Sequence, residues 1–449
     1  MTNRTVEELI EKTPLLNTIR QGEEVFWKNT MALPTEEATA QTKFSKADIL
    51  DAEARLQRFA AFVRLVYPET EQVKGIIESP LSEITEMKKY MDEALGEHLE
   101  GPLWLKRDDL LPISGTIKSR GAIYEVMKHA ENLALEHGLL KSMDEDYAVF
   151  ASDEFKNFFS QFNITVGTTG NLGISVGTMG RKLGFDVTVH MSVEAKRWKK
   201  EYLRNIGVEV IEHDTDFSRA VDNGRAESEA NPKSYFVDDE HSEELFLGYT
   251  AGGLRMKVQV ELAGIKVDSD HPLFVYLPCG IGGSPGGITF GLKQAFGEHV
   301  HCFFAEPTKM PSMMIGLLSQ KYDELSVFDF GLGGLTVADG LAVPRTSGLV
   351  AKLMRTFFSG GYSVNDDVFK ALLPKLYEKE NIFLEPAAVA GLVGPYRLMQ
   401  SEDGQAYIEE KGLTGKMSQA THIAWATGGS MVPQKDREEF LNAYKHFEL

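Results

Sequence analysis

The feature that most limits the possible folds is an alternation of short apolar runs and amphipathic segments over residues 163–305. The short runs predict strands at 164–167, 186–191, 208–212, 235–237, 273–277 and 301–305. Segments with helical spacing lie between them, at 172–183, 194–206, 217–230, 243–262 and 287–296. Such alternation is typical of βαβ units, in which helices cover a parallel sheet. The sequence therefore predicts an α/β fold with its ligand at the carboxyl ends of the strands.

The segments on either side of this alternation are less regular. The first hundred residues contain three amphipathic segments, at 7–20, 46–66 and 81–95, and predict a helical extension without a chemical motif. Residues 384–394 are rich in small side chains and predict a closely packed helix, whereas 422–426 predict a last strand. A chain of 449 residues is long enough for two domains.

Composition narrows the classes of function. The net charge is −19, from 47 basic and 66 acidic residues, which argues against nucleic acid and anionic membranes as partners. Residues 1–12 are polar and contain no apolar signal core, and no apolar run approaches the length of a membrane span. The two cysteines, Cys279 and Cys302, cannot form a disulfide framework or a zinc site alone. We therefore expect a cytoplasmic protein.

Lys118 stands at the junction between a hydroxyl-rich loop and a helix. Residues 103–107 predict a strand, Ser114, Gly115 and Thr116 follow, and helical spacing begins after the lysine. An ammonium group opposes the helix dipole at an N-terminus, which favours anions. An amine held as an imine avoids this conflict, and lysines form Schiff bases with pyridoxal phosphate. The alternative is a solvated surface lysine with no role.

A glycine loop at 279–287 lies between a predicted strand and a predicted helix. It contains five glycines in nine positions. Glycine lets backbone N–H groups approach an anion closely, and the following helix N-terminus adds partial positive charge. The loop therefore predicts a phosphate site. It lacks the lysine of a Walker loop, and a flexible turn is the alternative.

The residues Thr168, Thr169, Gly170 and Asn171 also follow a strand and open a helix. Their hydroxyl, amide and backbone N–H groups suit a carboxylate and one ring oxygen. Threonine and asparagine are equally suited to capping the helix, and for this stretch alone capping is the better interpretation.

Three further polar positions follow predicted strands. The hydroxyl of Thr427 is placed to meet a pyridine nitrogen, with an ordinary strand-end turn as the alternative. Asp238 and Asp239 are candidates for steering substrate or for acid–base work, and a solvated or capping pair is equally consistent. For Glu306, both a cation site and a hydrogen bond to a helix end are open.

Taken together, the stretches at 114–121, 168–171, 279–287 and 425–431 resemble the fold type II pyridoxal-phosphate enzymes. Among these enzymes the chain is most similar to the bacterial D-serine dehydratases, or D-serine ammonia-lyases, over nearly its whole length. The resemblance implies that Lys118 forms the Schiff base and acts as the base. It implies that the cofactor is bound by Lys118, Asn171, Gly280, Gly282, Gly283, Ser284, Gly286 and Thr427. Substrate is expected at Ser114, Thr168, Thr169, Gly170 and Asp239.

The resemblance also implies an architecture. The expected fold is that of tryptophan synthase β, with two domains, each a mainly parallel sheet covered by helices. Residues 101–154 and 246–449 would form the large pyridoxal-phosphate domain, and 155–245 the small one. Residues 1–100 would be a helical extension packed on the large domain. A monovalent cation, K⁺ or Na⁺, is a further expectation at Glu306.

The reaction implied is β-elimination of D-serine to pyruvate and ammonia through aminoacrylate, by a monomer or homodimer with a small amino-acid substrate. Alternatives are a dehydratase for L-threonine or L-serine, or another fold type II lyase. A catalytically silent protein that binds amino acids or nucleotides is a third reading. A nucleotide-dependent kinase is a fourth, against which the missing Walker lysine counts. Residue types do not reveal the stereochemistry of the substrate.

Overall fold

Two β-sheets organise the chain in the computed structural model, which describes residues 3–168, 170–214 and 217–449. The chain divides into two units. The first comprises Met1–Ser45, Ser79–Leu110 and Gly252–Leu449, and the second comprises Lys46–Glu78 and Leu111–Ala251. The first hundred residues thus contribute to both units. The domain boundaries expected from the sequence stay a prediction.

The strands are β1 (Phe26–Lys28), β2 (Leu81–Glu83), β3 (Leu103–Arg107), β4 (Asn163–Gly167), β5 (Asp186–Ser192), β6 (Glu209–His213), β7 (Ser234–Val237), β8 (Leu273–Pro278), β9 (Val300–Pro307), β10 (Gly360–Val364) and β11 (Thr421–Ala426).

The helices are α1 (Asn3–Lys12), α2 (Leu15–Arg20), α3 (Thr35–Ala40), α4 (Lys46–Val66), α5 (Thr85–Ala94), α6 (Lys118–Glu136), α7 (Asp153–Phe159), α8 (Asn171–Leu183), α9 (Arg197–Asn205), α10 (Phe217–Glu229), α11 (Glu243–Leu262), α12 (Gly283–Phe296), α13 (Ser312–Ser319), α14 (Gly348–Met354), α15 (Asp366–Glu380), α16 (Gly394–Gln400), α17 (Glu402–Glu410) and α18 (Gln434–Tyr444).

The first unit is built on a seven-stranded sheet in the order β1-β10-β9-β8-β11-β3-β2. The five central strands are parallel, and the two edge strands are antiparallel to their neighbours. Every residue of β8, β9 and β11 is buried. This is expected for the central strands of a parallel sheet that is covered on both faces. Aromatic side chains such as Phe274, Tyr276 and Phe303 form the core beside this sheet.

The second unit is built on a four-stranded parallel sheet in the order β6-β5-β4-β7. Helices α8, α9 and α10 connect its strands, as the alternation in the sequence predicts. The predicted α/β fold with two mainly parallel sheets is therefore confirmed. In the part of the chain that the structure describes, no helix is both long enough and apolar enough to cross a bilayer.

Two predicted helices are wrong. The segment at 7–20 is split into α1 and α2, with Pro14 at the start of the second helix, because proline disfavours helical backbone in the residue before it. Residues 384–394 contain a 3-10 helix at Pro386–Val389 and reach α-helical structure only at Gly394. The small residues there serve close packing, since a Cβ at Gly391 would lie 2.7 Å from the Tyr276 carbonyl oxygen.

Candidate active site

The predicted junction at Lys118 is present in the second unit, where α6 begins at this residue. The loop before it turns sharply: the Ser114 N–H donates to the Pro112 carbonyl at 3.1 Å, with Ile113 at φ 82°. A β-branched residue in this left-handed region is rare and strained, and such strain clusters at functional sites. The Ser114 hydroxyl shares hydrogen bonds with the hydroxyls of Ser119 and, at 2.8 Å, Ser175. These bonds hold the loop against the start of α6 and against α8.

The amine of Lys118 faces the carboxylate of Asp239, which lies 121 positions later in the sequence. Its Nζ lies 3.7 Å from Oδ2 of Asp239, and both side chains are largely buried. The other oxygen, Oδ1, is buried and has no hydrogen-bond partner among the described residues. An unpaired buried acceptor costs about 1–3 kcal/mol. This geometry leaves room for a donor from a bound molecule.

The sequence did not predict the roles of two further side chains of the second unit, the aromatic Tyr249 and the acidic Glu125. The ring centroid of Tyr249 lies 5.9 Å from the Lys118 Nζ, and its buried hydroxyl has no partner among the described residues. Glu125 lies seven residues after Lys118 on α6 and accepts hydrogen bonds from Tyr235 and Ser242, each at 2.8 Å. Burial raises the pKa of Glu125 to about 8, although its two donors act in the opposite direction. A lone glutamate in an apolar helical stripe was the available signal.

The stretch at 168–171 is partly used for local structure. The Thr168 hydroxyl accepts the Gly170 N–H at 2.9 Å, and Asn171 is the first residue of α8. The carbonyl of Asn171 accepts a hydrogen bond from Ser175 at 3.1 Å. Thr169 lies outside the described residues. The backbone at Gly170 has φ 150°, which favours glycine. Substrate and cofactor binding at these residues stay predictions.

Asp238, the neighbour of Asp239, is occupied by a salt bridge. Arg225 donates to its two oxygens at 3.1 and 3.2 Å and to Glu240 at 3.0 Å. Asp238, Glu240 and His241 are also close enough to share a metal ion, but Arg225 supplies the positive charge there. Of the two aspartates, only Asp239 lies beside Lys118.

In the first unit, the glycine loop follows β8 and leads into α12, as predicted. Residues 280–284 are buried, and their backbone N–H groups have no acceptor among the residues that the structure describes. Gly282 has φ 110°, and a Cβ there would overlap the Met313 side chain. A Cβ at Gly286 would overlap the side chain of Val350. Buried N–H groups are almost never left unpaired in native proteins, so this loop fits an anion such as a phosphate.

The strands on either side of β8 place two more predicted residues at the same edge of the sheet. Thr427 directly follows β11 and is partly buried, and its role towards a ring nitrogen stays a prediction. Glu306, near the end of β9, accepts the N–H groups of Met313 and Met314 at 2.8 and 2.9 Å, at the start of α13. Burial raises the pKa of Glu306 to about 8. The hydrogen bond to a helix end is thus present, and the cation site stays a prediction.

The residues at these positions fit pyridoxal phosphate, the cofactor that the sequence implies. A loop of unpaired buried N–H groups suits a phosphate, and an amine near an aromatic ring suits an aldehyde carried on a flat ring. The unpaired oxygen of Asp239 suits a charged or N–H donor. No residue at these positions has chemistry that conflicts with pyridoxal phosphate.

The comparisons with known proteins agree with this fit. The model of the family described as "Pyridoxal-phosphate dependent enzyme" matches residues 85–407. A "Probable D-serine dehydratase" of Geobacillus stearothermophilus is 51% identical, covering 98% of this chain and 96% of the relative. A protein of the same description from Bacillus cereus (strain 03BB102) is 50% identical, covering 98% of this chain and 97% of the relative.

Solved structures show the same fold at low identity. Diaminopropionate ammonia lyase from Escherichia coli, in complex with D-serine, is 18% identical with a TM-score of 0.69, covering 94% of this chain and 98% of that one. Threonine deaminase isoform 2 from Solanum lycopersicum is 18% identical with a TM-score of 0.58, covering 93% and 92%. The predicted fold type II architecture is confirmed by these neighbours. With the family model spanning most of its length, the chain belongs to the pyridoxal-phosphate-dependent enzymes.

Proposed function

We propose that this enzyme catalyses β-elimination of D-serine, which yields aminoacrylate and, after hydrolysis, pyruvate and ammonia. The observation that supports D-serine as the substrate is the 50–51% identity, over 98% of the chain, to proteins described as probable D-serine dehydratases. The neighbours that act on other amino acids are below 20% identical and bear on the fold alone. The second candidate function is a dehydratase for L-threonine or L-serine.

Lys118 is the residue that holds the cofactor and then serves as the base. When bound, pyridoxal phosphate supplies a conjugated ring that accepts the electron pair left at the α-carbon. The amine of Lys118 takes the α-proton. As the C–O bond at the β-carbon breaks, the ammonium of Lys118 returns that proton to the leaving hydroxyl group, which departs as water. Asp239, 3.7 Å from the amine, stabilises the ammonium that forms, because opposite charges at this distance attract strongly in a buried site.

The other predicted residues bind and orient. The unpaired N–H groups of residues 280–284, with the hydroxyl of Ser284, hold the phosphate. Asn171 would hold the ring oxygen of the cofactor, and Thr427 would offer its neutral hydroxyl to the ring nitrogen. Thr168 and Gly170, at the N-terminus of α8, bind the substrate carboxylate. Ser114 fixes the lysine loop through its hydroxyl bonds and borders the substrate.

The substrate is tested by measuring keto-acid release from D-serine, L-serine, D-threonine and L-threonine. The purified protein is loaded with pyridoxal phosphate, and kcat/KM is compared across the four amino acids. We expect the highest value for D-serine. A higher value for L-threonine or L-serine would replace the proposal by the second candidate, and no keto acid from any of them would favour a silent binding protein.

Lys118→Ala tests the assignment of the base. We expect turnover to fall at least about 10³-fold, within the range that a positioned acid–base group supplies. Lys128→Ala is the matched control on the same helix, since Lys128 pairs with Glu244 at 2.6 Å. Borohydride reduction should add the cofactor mass to the peptide that contains Lys118. Normal activity in Lys118→Ala, or labelling of another lysine, would refute the role.

We also propose that the enzyme acts in the cytoplasm as a monomer or homodimer. Cys279 and Cys302 are both buried and form no disulfide, which suits a reducing compartment. Sedimentation of the cofactor-loaded protein would contradict the proposal if it gave a larger assembly.

A further inference from the structure

A cavity lies in the first unit at the amino-terminal ends of the parallel strands. It has a volume of about 200 Å³, and its polar lining includes Lys293, Lys411, Lys416, His299, His301 and Glu298. Residues that come just before β8 and β10, Pro272 and Ser359, also line it. The glycine loop follows the carboxyl end of β8, so the six residues of this strand, about 20 Å, separate the two places. The cavity is therefore not part of the predicted active site.

Lys293 is the unusual member of this lining. It is only 7% exposed, and no hydrogen bond or ion pair is made by its amine within the described parts of the chain. A buried ammonium without a partner is costly, and lysine is almost never found buried unless it is paired. Burial lowers the pKa of Lys293, although Cys302 and Glu298 act in the opposite direction. Lys293 lines the cavity, and its amine has no carboxylate within ion-pair distance among the described residues.

The protein groups near Lys293 balance its charge only in part, through the attraction of Glu298 at a distance. Burial raises the pKa of the Cys302 thiol to about 11, so this side chain stays neutral. The carboxylate of Glu298 accepts the N–H and the hydroxyl of Thr35, each at 2.6 Å, and makes no ion pair with Lys293 in the described structure. The C-terminal end of α12, where Lys293 lies, contributes only partial negative charge.

The lining of the cavity contains three lysines and the two carboxylates of Glu298 and Asp268. Lys416 is paired with Asp270 at 3.4 Å, whereas Lys293 and Lys411 make no ion pair with the residues that the structure describes. Asp268 is already bonded to the ring of His271 at 2.7 Å. Because the net charge of the chain is −19, two lysines without ion pairs in one concave site are a local feature that attracts small anions. The volume holds an anion of the size of phosphate together with water.

We propose that this cavity binds a small polyvalent oxyanion, a phosphate or a dicarboxylate, with Lys293 as its main partner. The bound anion pairs with the amine of Lys293 and is reached by the more exposed Lys411 at the mouth. The proposal does not depend on the substrate of the enzyme. It assigns a second ligand site at the opposite edge of the sheet from the cofactor loop.

Calorimetric titration of the cofactor-loaded enzyme with inorganic phosphate tests the site. Ionic strength is kept constant with sodium chloride, and the loaded cofactor already fills the glycine loop. We expect saturable binding of one phosphate, weakened at least ten-fold in Lys293→Met. The matched control is Lys435→Met, since the Lys435 side chain is 86% exposed and distant in the chain. A parallel titration with malonate distinguishes phosphate from dicarboxylate as the preferred class.

Lys293→Met removes a buried charge and keeps an unbranched side chain, so the fold should persist, which thermal unfolding verifies. As a second measurement, crystals soaked in selenate should show an anomalous peak beside the Lys293 amine. Absence of saturable binding, equal affinity in Lys293→Met, or an anomalous peak confined to other places would overturn the proposal.

Discussion

Asp239 sits beside Lys118 with one carboxylate oxygen paired with the amine and the other buried and unpaired. An isolated buried charge is unfavourable, so the ammonium of Lys118 and the carboxylate of Asp239 stabilise each other. In the reaction proposed above, the amine gains a proton and the carboxylate offsets the new charge. Asp238 has the same chemistry but is held by Arg225.

Replacing Asp239 by asparagine should therefore slow turnover with little effect on folding. The amide keeps the size of the side chain but removes the charge beside Lys118, and we expect kcat for D-serine to fall about 10- to 100-fold, in keeping with loss of about 1.4–2.7 kcal/mol of stabilisation. Steady-state kinetics measure this effect. Asp238→Asn is the control and should retain kcat while losing thermal stability. Equal kcat in Asp239→Asn and wild type would remove Asp239 from the mechanism.

The sequence predicted the residues of this site unequally, for a physical reason. The start of α6 at Lys118 is set by local order, with a hydroxyl-rich loop followed by helical spacing, so it was predictable. The environment of Glu125 is set by Tyr235 and Ser242, which are 110 and 117 residues away. Likewise, nothing in the local sequence indicates that the ring of Tyr249 lies 5.9 Å from the amine of Lys118. Contacts of this range appear only when the chain is folded.

At the scale of elements, helix α12 links two different environments. Its N-terminus emerges from the glycine loop, whereas its last turns reach the cavity at the other edge of the sheet. A glycine with positive φ stands at each end, Gly282 at 110° and Gly297 at 59°. Only Gly282 is also crowded, by Met313, whereas a Cβ at Gly297 would meet nothing within 4 Å.

This asymmetry gives a matched pair of variants. Gly282→Ala should release most of the cofactor, because the new methyl group and the left-handed backbone both force the loop to shift. Gly297→Ala also places a Cβ on backbone with positive φ that favours glycine, so it should lower stability, but it should keep the cofactor. The absorbance of bound pyridoxal phosphate after gel filtration measures both. If the two variants retained equal amounts, the N–H groups of this loop would not be the phosphate site.

Elements were predicted best where their pattern was long. The strands and helices of the βαβ units came from many consecutive residues with a clear period, and the structure has them within a few residues. Strands β1 and β2 were missed because three residues cannot show a period of two. The helix expected at 384–394 failed because small residues favour close packing in any backbone, helical or not.

At the scale of the whole molecule, the free energy of unfolding depends on pH through carboxyl groups that become buried on folding. Glu125 and Glu306 are fully buried, and burial raises the pKa of each to about 8, against 4.5 for the free side chain. The folded state therefore binds these protons more tightly than the unfolded state. Their contribution to stability is complete below about pH 4.5 and is lost as the pH rises towards 8.

Glu125→Gln should flatten this pH dependence. For each such group the free energy of unfolding falls by about 1.4 kcal/mol per pH unit between the two pKa values. The hydroxyls of Tyr235 and Ser242 can donate or accept, so both can bond a neutral amide. We therefore expect the variant to match wild type near pH 5 and to exceed its stability near pH 8.

Glu306→Gln is the informative comparison. Its partners are the backbone N–H groups of Met313 and Met314, which only donate, so an amide leaves one of them unpaired. In this variant the pH dependence that Glu306 contributes should also disappear. The free energy of unfolding should in addition be lower by about 1–3 kcal/mol at every pH. Denaturant unfolding of the cofactor-loaded proteins at pH 5, 6, 7 and 8 measures all three. Should the difference between wild type and Glu125→Gln stay constant from pH 5 to 8, Glu125 does not titrate in this range, and its hydrogen bonds, not its burial, set its protonation.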